Sequence, residues 1–201
     1  MRGLYEELHV ELDGVVPLLY RNIRLADPRN EYTRAIKKIT DKKKDMTDAD
    51  HEERFRLEFF GGLYVDELGR PVVPGTWIEG VITTGAKKVR KGPRAATVIC
   101  EAAWPLLYKG PATDVELWAC QKFHDIRNVS VNGGKVLRCR PMFPAGWKVR
   151  PVINFLPDQM NREEVVSWLS EGGRLEGIGD FTPRFGRFDV AVIEGKTKEV
   201  A

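Results

Sequence analysis

Two kinds of side chain in this sequence have the type and spacing to do chemistry: clustered cations and a few isolated histidines. Lys87, Lys88, Arg90, Lys91 and Arg94 fall within eight residues, and no acidic residue lies between Glu79 and Glu101. An unbalanced basic run that ends in a glycine and a proline suits contact with phosphate oxygens. It suits a solvated surface loop equally well. Arg138, Arg140, Lys148 and Arg150 form a second set, inside KVLRCRPMFPAGWKVRPVINF, residues 135–155. Arg184 and Arg187 form a third, at the end of a glycine-rich stretch from Gly177 that also holds Phe181 and Phe185. Glycines let a backbone approach an anion closely, and exposed aromatic rings stack on bases. Against this, Phe185 and Phe188 also suit a core, and Gly186 a β-bulge.

The histidines point less clearly to a reaction. His9, His51 and His124 are scattered, and only His124 has an acidic neighbour, Asp125, that could orient it for general acid–base work. There is no HExxH, no phosphate-binding GxxxxGK[ST] and no GxSxG. The carboxylate pairs Glu52-Glu53 and Glu163-Glu164 are adjacent in sequence and diverge on a helix, so they make poor metal ligands. Cys100, Cys120 and Cys139 are odd in number and lack CxxC spacing, which argues against a zinc site and fits a reducing, cytoplasmic setting. The sequence predicts no cofactor, no metal and a non-catalytic role. His9 and His124 are the residues on which a catalytic alternative would rest.

These residues need elements to position them. At 201 residues and 42% hydrophobic the chain can bury a core, and no apolar run approaches the roughly 18 residues of a membrane span. Its net charge of +3 permits a nucleic-acid partner without requiring one. Residues 8–16 alternate, with Leu8, Val10 and Leu12 against His9, Glu11 and Asp13, as a half-buried strand does. Residues 29–60 read as a helical hairpin whose second helix starts at Thr47. Its lysines, among them Lys37, Lys38 and Lys42 to Lys44, read as a solvated face or as a nucleic-acid arm. Thr76 and Glu79 have the spacing of a capping box, and 95–100 reads as a strand. Residues 135–155 read as two strands joined at Pro144-Ala145-Gly146. Pairing Phe143 with Trp147 would set Arg140 against Arg150, a repulsive arrangement that calls for an acidic partner. A helix follows from Asn161, with Gly172-Gly173 as its stop, and a last strand begins at Phe188.

That order predicts an α+β fold: a ferredoxin-like (RRM-like) antiparallel sheet with helices on one face and a mixed helical and hairpin insertion. It predicts one domain over 1–201, with the first helix and the insertion in 28–128. The open sheet face would collect five cations, Arg138, Arg140, Lys148, Arg150 and Arg187, and three carboxylates, Glu11, Asp13 and Asp189. Placing the first strand beside the third would let Glu11 and Asp13 neutralise Lys148 and Arg150 internally.

Two resemblances bear on function. Residues 69–82, GRPVVPGTWIEGVI, resemble the G-x-P-x-x-P-G-[ST]-x-[IL]-x-G segment of RAMP-superfamily proteins, the RRM-like backbone and processing subunits of CRISPR systems. Gly177-Ile178-Gly179 through Phe185-Gly186-Arg187-Phe188 resembles their terminal glycine-rich loop. The chain is also similar to short uncharacterised phage proteins, through Leu25-Ala26-Asp27-Pro28, residues 58–64 and residues 179–188. The RAMP resemblance implies binding of single-stranded RNA or DNA, often with side-by-side assembly along the strand. The expectation is therefore a non-catalytic, phage-related single-strand-binding protein. Its alternatives are a phage factor that oligomerises or engages a host or defence complex, and a metal-free RNA-processing nuclease using His9 or His124, as processing members of that superfamily often use a histidine.

Overall fold

The computed structural model describes residues 4–101, 103–131 and 133–193. The fold is mixed α+β on antiparallel sheets, as the element order predicts. The chain falls into two compact units, Met1–Leu18 with Val72–Tyr108 and Ala145–Ala201, and Leu19–Pro71 with Lys109–Pro144. Segment 28–128 supplies elements to both.

The first unit is built around strand Glu6–Gly14. Leu8, Val10 and Leu12 are fully buried while Glu11 and Asp13 on the other face are not, so the alternation in the sequence is the alternation of burial. The strand is antiparallel to its partners on both sides. Phe188–Val192 pairs along one edge, and Val152–Phe155 with Lys148–Val149 along the other. Gly14 is required by packing: a Cβ there would lie 2.0 Å from the Trp147 ring. The indole of Trp147 fills that space and donates from Nε1 to the Val16 carbonyl at 2.9 Å.

Two helices, Gly75–Lys88 and Arg162–Leu175, pack on each other in this unit, Gly85 against Trp168 and Gly172 against Val81, and Ile78, Ile82, Val165 and Leu169 on them are buried. Asn161 caps the second in a full capping box with Glu164. Three sequence expectations are corrected here. The first helix starts after Pro74 with no side-chain cap, and Glu79 instead accepts the Cys100 N–H at 2.7 Å. Residues 95–100 are the end of a short helix, Gly92–Ala95, and a turn that touches the sheet only at the Ile99–Asn154 bridge. Gly172 and Gly173 lie inside their helix, where each permits a close approach that any side chain would block.

The second unit centres on a long β-hairpin, His124–Val131 with Gly134–Phe143. Helix Asp48–Gly62 packs on it, and helix Glu31–Thr40 packs on that helix, which realises the helical hairpin read from the sequence. Thr47 and Asp50 form the capping box that opens Asp48–Gly62. Tyr20, Phe59, Leu117, Phe123 and Phe143 are buried in this core.

The expected hairpin over 135–155 does not form. Gly134–Phe143 pairs with His124–Val131 in the second unit, and residues 148–155 pair with Glu6–Gly14 in the first. Arg140 therefore lies opposite Asp125, not Arg150. The tight connection at Pro144-Ala145-Gly146 is a crossing between units, and long-range packing of Trp147 on Gly14 decides the pairing.

Candidate nucleic-acid interface

The basic run sits at the end of helix Gly75–Lys88. Lys87 and Lys88 are in its last turn, where cations complement the helix dipole. Arg90 follows with φ +60°, a left-handed conformation usually left to glycine, and its N–H closes on the Lys87 carbonyl at 3.1 Å. Lys91 donates to Glu164 at 2.8 Å, and Arg94 lies 3.6 Å from the same carboxylate. Those two cations hold the Glu164 carboxyl below its usual range, the Lys91 hydrogen bond contributing most. Among the described residues, Lys87, Lys88 and Arg90 make no ion pair.

The cations of the sheet are neutralised from within. Lys148 donates to Glu11 at 2.6 Å and lies 3.0 Å from Asp13, and Arg150 donates to the other Glu11 oxygen at 2.7 Å. Hydrogen bonds from Lys148 and then Arg150 lower the Glu11 carboxyl, and Glu11 and Asp13 raise the Lys148 ammonium. This is the pairing that placing the first strand beside the third anticipates. In the second unit Arg138 donates to Glu58, whose other oxygen accepts the Cys139 N–H at 2.8 Å. Arg140 is only 6% exposed and lies opposite Asp125 in the ladder, and Arg127 donates to both oxygens of that carboxylate from Nε and one terminal nitrogen. Arg140 and Arg150, whose facing would call for an acidic partner, are thus not a facing pair. One is held by a carboxylate and the other is buried opposite one.

The glycine-rich stretch is a folded loop packed on itself. The Ile178 N–H donates to the Gly186 carbonyl, and the Gly186 N–H to Pro17. Gly186 has φ +76°, and a Cβ there would fall 1.7 Å from the Ile178 oxygen, so only glycine fits. Phe185 is buried, whereas Phe181 is 42% exposed and stands edge-on to it at 6.2 Å. Arg184 is exposed and Arg187 half-buried.

The histidines do not assemble a catalytic pair. His124 and Asp125 are neighbours on a strand and point to opposite faces. The His124 ring stacks on Trp118 at 4.5 Å and packs against Phe59, and burial pushes its pKa down. The His9 ring lies 3.4 Å from the Glu7 carboxylate. Among the described residues no three His, Cys, Asp or Glu side chains converge as a metal site would need, and no helix is long and apolar enough to cross a membrane.

Sequence reasoning missed Glu58. It is 5% exposed and joins Arg138, Arg54 at 3.8 Å and the Cys139 N–H, eighty residues away along the chain. Its one local signal is the Arg54–Glu58 i,i+4 spacing beside Phe59, which is common on solvated helices. Charge is also unevenly divided, which the total hides. The second unit holds 18 Lys and Arg against 14 Asp and Glu, the first 14 against 15.

No protein-family model matches the chain, and no curated protein matches it. Among solved structures it is similar to the crystal structure of Cmr6 from Pyrococcus furiosus, with a TM-score of 0.45 and 12% identity over 96% of this chain and 100% of that one.

Proposed function

We propose that this protein binds single-stranded nucleic acid without cleaving it, through phosphate contacts made by cations the fold leaves unneutralised. The observation that carries the reading is the end of helix Gly75–Lys88: Lys87, Lys88 and Arg90 stand together with no ion pair among the described residues. The helix dipole accounts for lysines in the last turn. It does not account for an arginine at a left-handed position, where a non-glycine residue costs about 1 kcal/mol. A charged side chain kept there at that cost fits a contact residue. The positive excess of the second unit adds attraction for a polyanion. Arg184 and the exposed ring of Phe181 supply a further contact and a stacking surface in the glycine-rich loop. Lys91, Arg94, Lys148 and Arg150 are held by carboxylates and contribute less.

A second reading has one observation in its favour. Ile126 and Leu137 are 49% and 44% exposed and lie diagonally on the same hairpin face. Such a pair suits a protein surface, whether a second copy or a host or defence complex.

Fluorescence anisotropy with a labelled single strand separates the two. Each phosphate contact on a single strand lowers the salt slope by about 0.7, so three contacts give a slope near −2. Lys87→Gln, Lys88→Gln and Arg90→Gln together should flatten it. Absence of binding at low salt, with a salt-resistant oligomer by size measurement, favours the protein-contact reading instead.

A further inference from the structure

The second unit contains a cleft of about 200 Å³ lined by Arg21, Thr33, Lys37, Thr40, Glu58 and Arg138, with Leu25 and Ile36 forming its apolar wall. These residues come from four separate segments of the chain, which only the fold brings together. We propose that this cleft binds a phosphomonoester group, either the terminal phosphate of a nucleic-acid strand or that of a free nucleotide.

Charge and hydrogen bonding support this. Three cations line the cleft with one carboxylate, and that carboxylate is already engaged. One Glu58 oxygen accepts from Arg138 and the other from the Cys139 N–H. Glu58 therefore fixes the Arg138 guanidinium at the wall and has little capacity left to repel an incoming anion. Arg138 is held from one side and keeps further donors, since a guanidinium carries five N–H groups. Arg21 and Lys37 are exposed and make no ion pair among the described residues. The lining thus has two positive charges in excess, matching a phosphomonoester dianion better than the single charge of a backbone diester. The threonine hydroxyls are not the main donors: Thr33 already donates to the Arg24 backbone carbonyl at 3.3 Å and Thr40 to the Lys37 backbone carbonyl at 3.1 Å. The volume admits a phosphoryl group and its ester oxygen but is below the roughly 300 Å³ at which pockets for whole small ligands begin. The rest of the ligand would lie outside, and recognition would be of the phosphate and not of the base.

The inference deepens the nucleic-acid reading without depending on the cations at the end of helix Gly75–Lys88. Two oligonucleotides of one sequence, with and without a 5′ phosphate, are titrated in the same low-salt buffer. Inorganic phosphate and a nucleoside monophosphate are tested separately by thermal shift and by competition. Tighter binding of the phosphorylated strand, by about tenfold, is expected from one charge-assisted contact set. Lys37→Gln and Arg21→Gln should remove that preference, while Lys38→Gln, one residue along and outside the lining, should keep it. Both lining residues are exposed, so the variants should unfold at the wild-type temperature. If neither strand binds but the monophosphate stabilises the protein in a Lys37-dependent way, the cleft takes a free nucleotide and the nucleic-acid reading fails alone. Equal affinity for the two strands, with no shift from phosphate or monophosphate, overturns the cleft inference whatever the strand affinity.

Discussion

The two helices of the first unit meet backbone to backbone, and that contact predicts opposite outcomes for one methyl group placed at two positions in a single helix. A Cβ on Gly85 would sit 1.9 Å from the Trp168 carbonyl oxygen and 3.0 Å from the Gly172 nitrogen, while one on Gly80 would meet nothing within 4 Å. At Gly80, alanine removes the backbone-entropy cost of glycine, a gain of about 0.8–1.0 kcal/mol. At Gly85 the same gain is set against a clash with main chain that no rotamer relieves. The helices must separate by about 1.5 Å to reach ordinary contact, enough to forfeit much of the dispersion energy between facing side chains. Overpacking of this kind costs roughly 1–3 kcal/mol, and a carbonyl obstacle places it at the upper end. The net expectation is about 2 kcal/mol of destabilisation for Gly85→Ala and about 1 kcal/mol of stabilisation for Gly80→Ala. In a chain of this length those correspond to a Tm about 4–8 °C lower and about 2–4 °C higher. Urea unfolding followed by tryptophan fluorescence and by circular dichroism gives both midpoints, with an unchanged m-value checking that the transition is the same one. If both variants are stabilised, the helices do not touch where Gly85 and Gly172 place them, and the packing argument is wrong.

Two further predictions concern titrating groups. Burial raises the Cys100 thiol to about 11 and the Cys139 thiol to about 12, whereas Cys120 is half-exposed. A thiol reagent at pH 8 should therefore modify one cysteine quickly in the native protein and three after denaturation, and two fast thiols in the native state would contradict the burial. Asp50 is lowered from 3.8 to about 2, first by the Lys42 hydrogen bond and then by the Thr47 N–H. Because the folded value is the lower one, its contribution is complete above the unfolded value and is lost as pH falls from about 3.8 towards about 2. Asp50→Asn should remove that part of the acid-induced loss of helix signal at 222 nm, and an unchanged acid transition would show that the capping box is not titrating.

How much of this was legible depended on how far away the deciding partner lay. The strand at Leu8–Leu12 and the helix starts at Thr47 and Asn161 are settled within four or five residues, by alternation and by reciprocal caps, and all were readable. The pairing of residues 135–155 was not, because the deciding contact is between Trp147 and Gly14. Gly172 shows the same limit in another form. A glycine that stops a helix and one that admits a neighbouring helix are the same letter, and only Val81, whose carbonyl oxygen would lie 2.2 Å from its Cβ, distinguishes them.

Charge obeys the same rule, with consequences for counting phosphate contacts. A window without acidic residues measures local neutralisation only, yet the carboxylates that hold Lys91, Arg138 and Arg150 come from far along the chain. Glu164 reaches Lys91 across 73 positions, Glu58 reaches Arg138 across 80, and Glu11 reaches Arg150 across 139. Each pairing removes a counterion that a nucleic acid would otherwise release, so the five cations of the basic run give only an upper bound. Taken from sequence, that run predicts a single-strand salt slope near −3.5, and with Lys91 and Arg94 held by Glu164 it predicts one near −2. Glu164→Gln should move the slope from the second value towards the first. That direction is specific to a phosphate interface at the end of helix Gly75–Lys88, since freeing two cations elsewhere on the surface would leave the slope of a bound strand where it was.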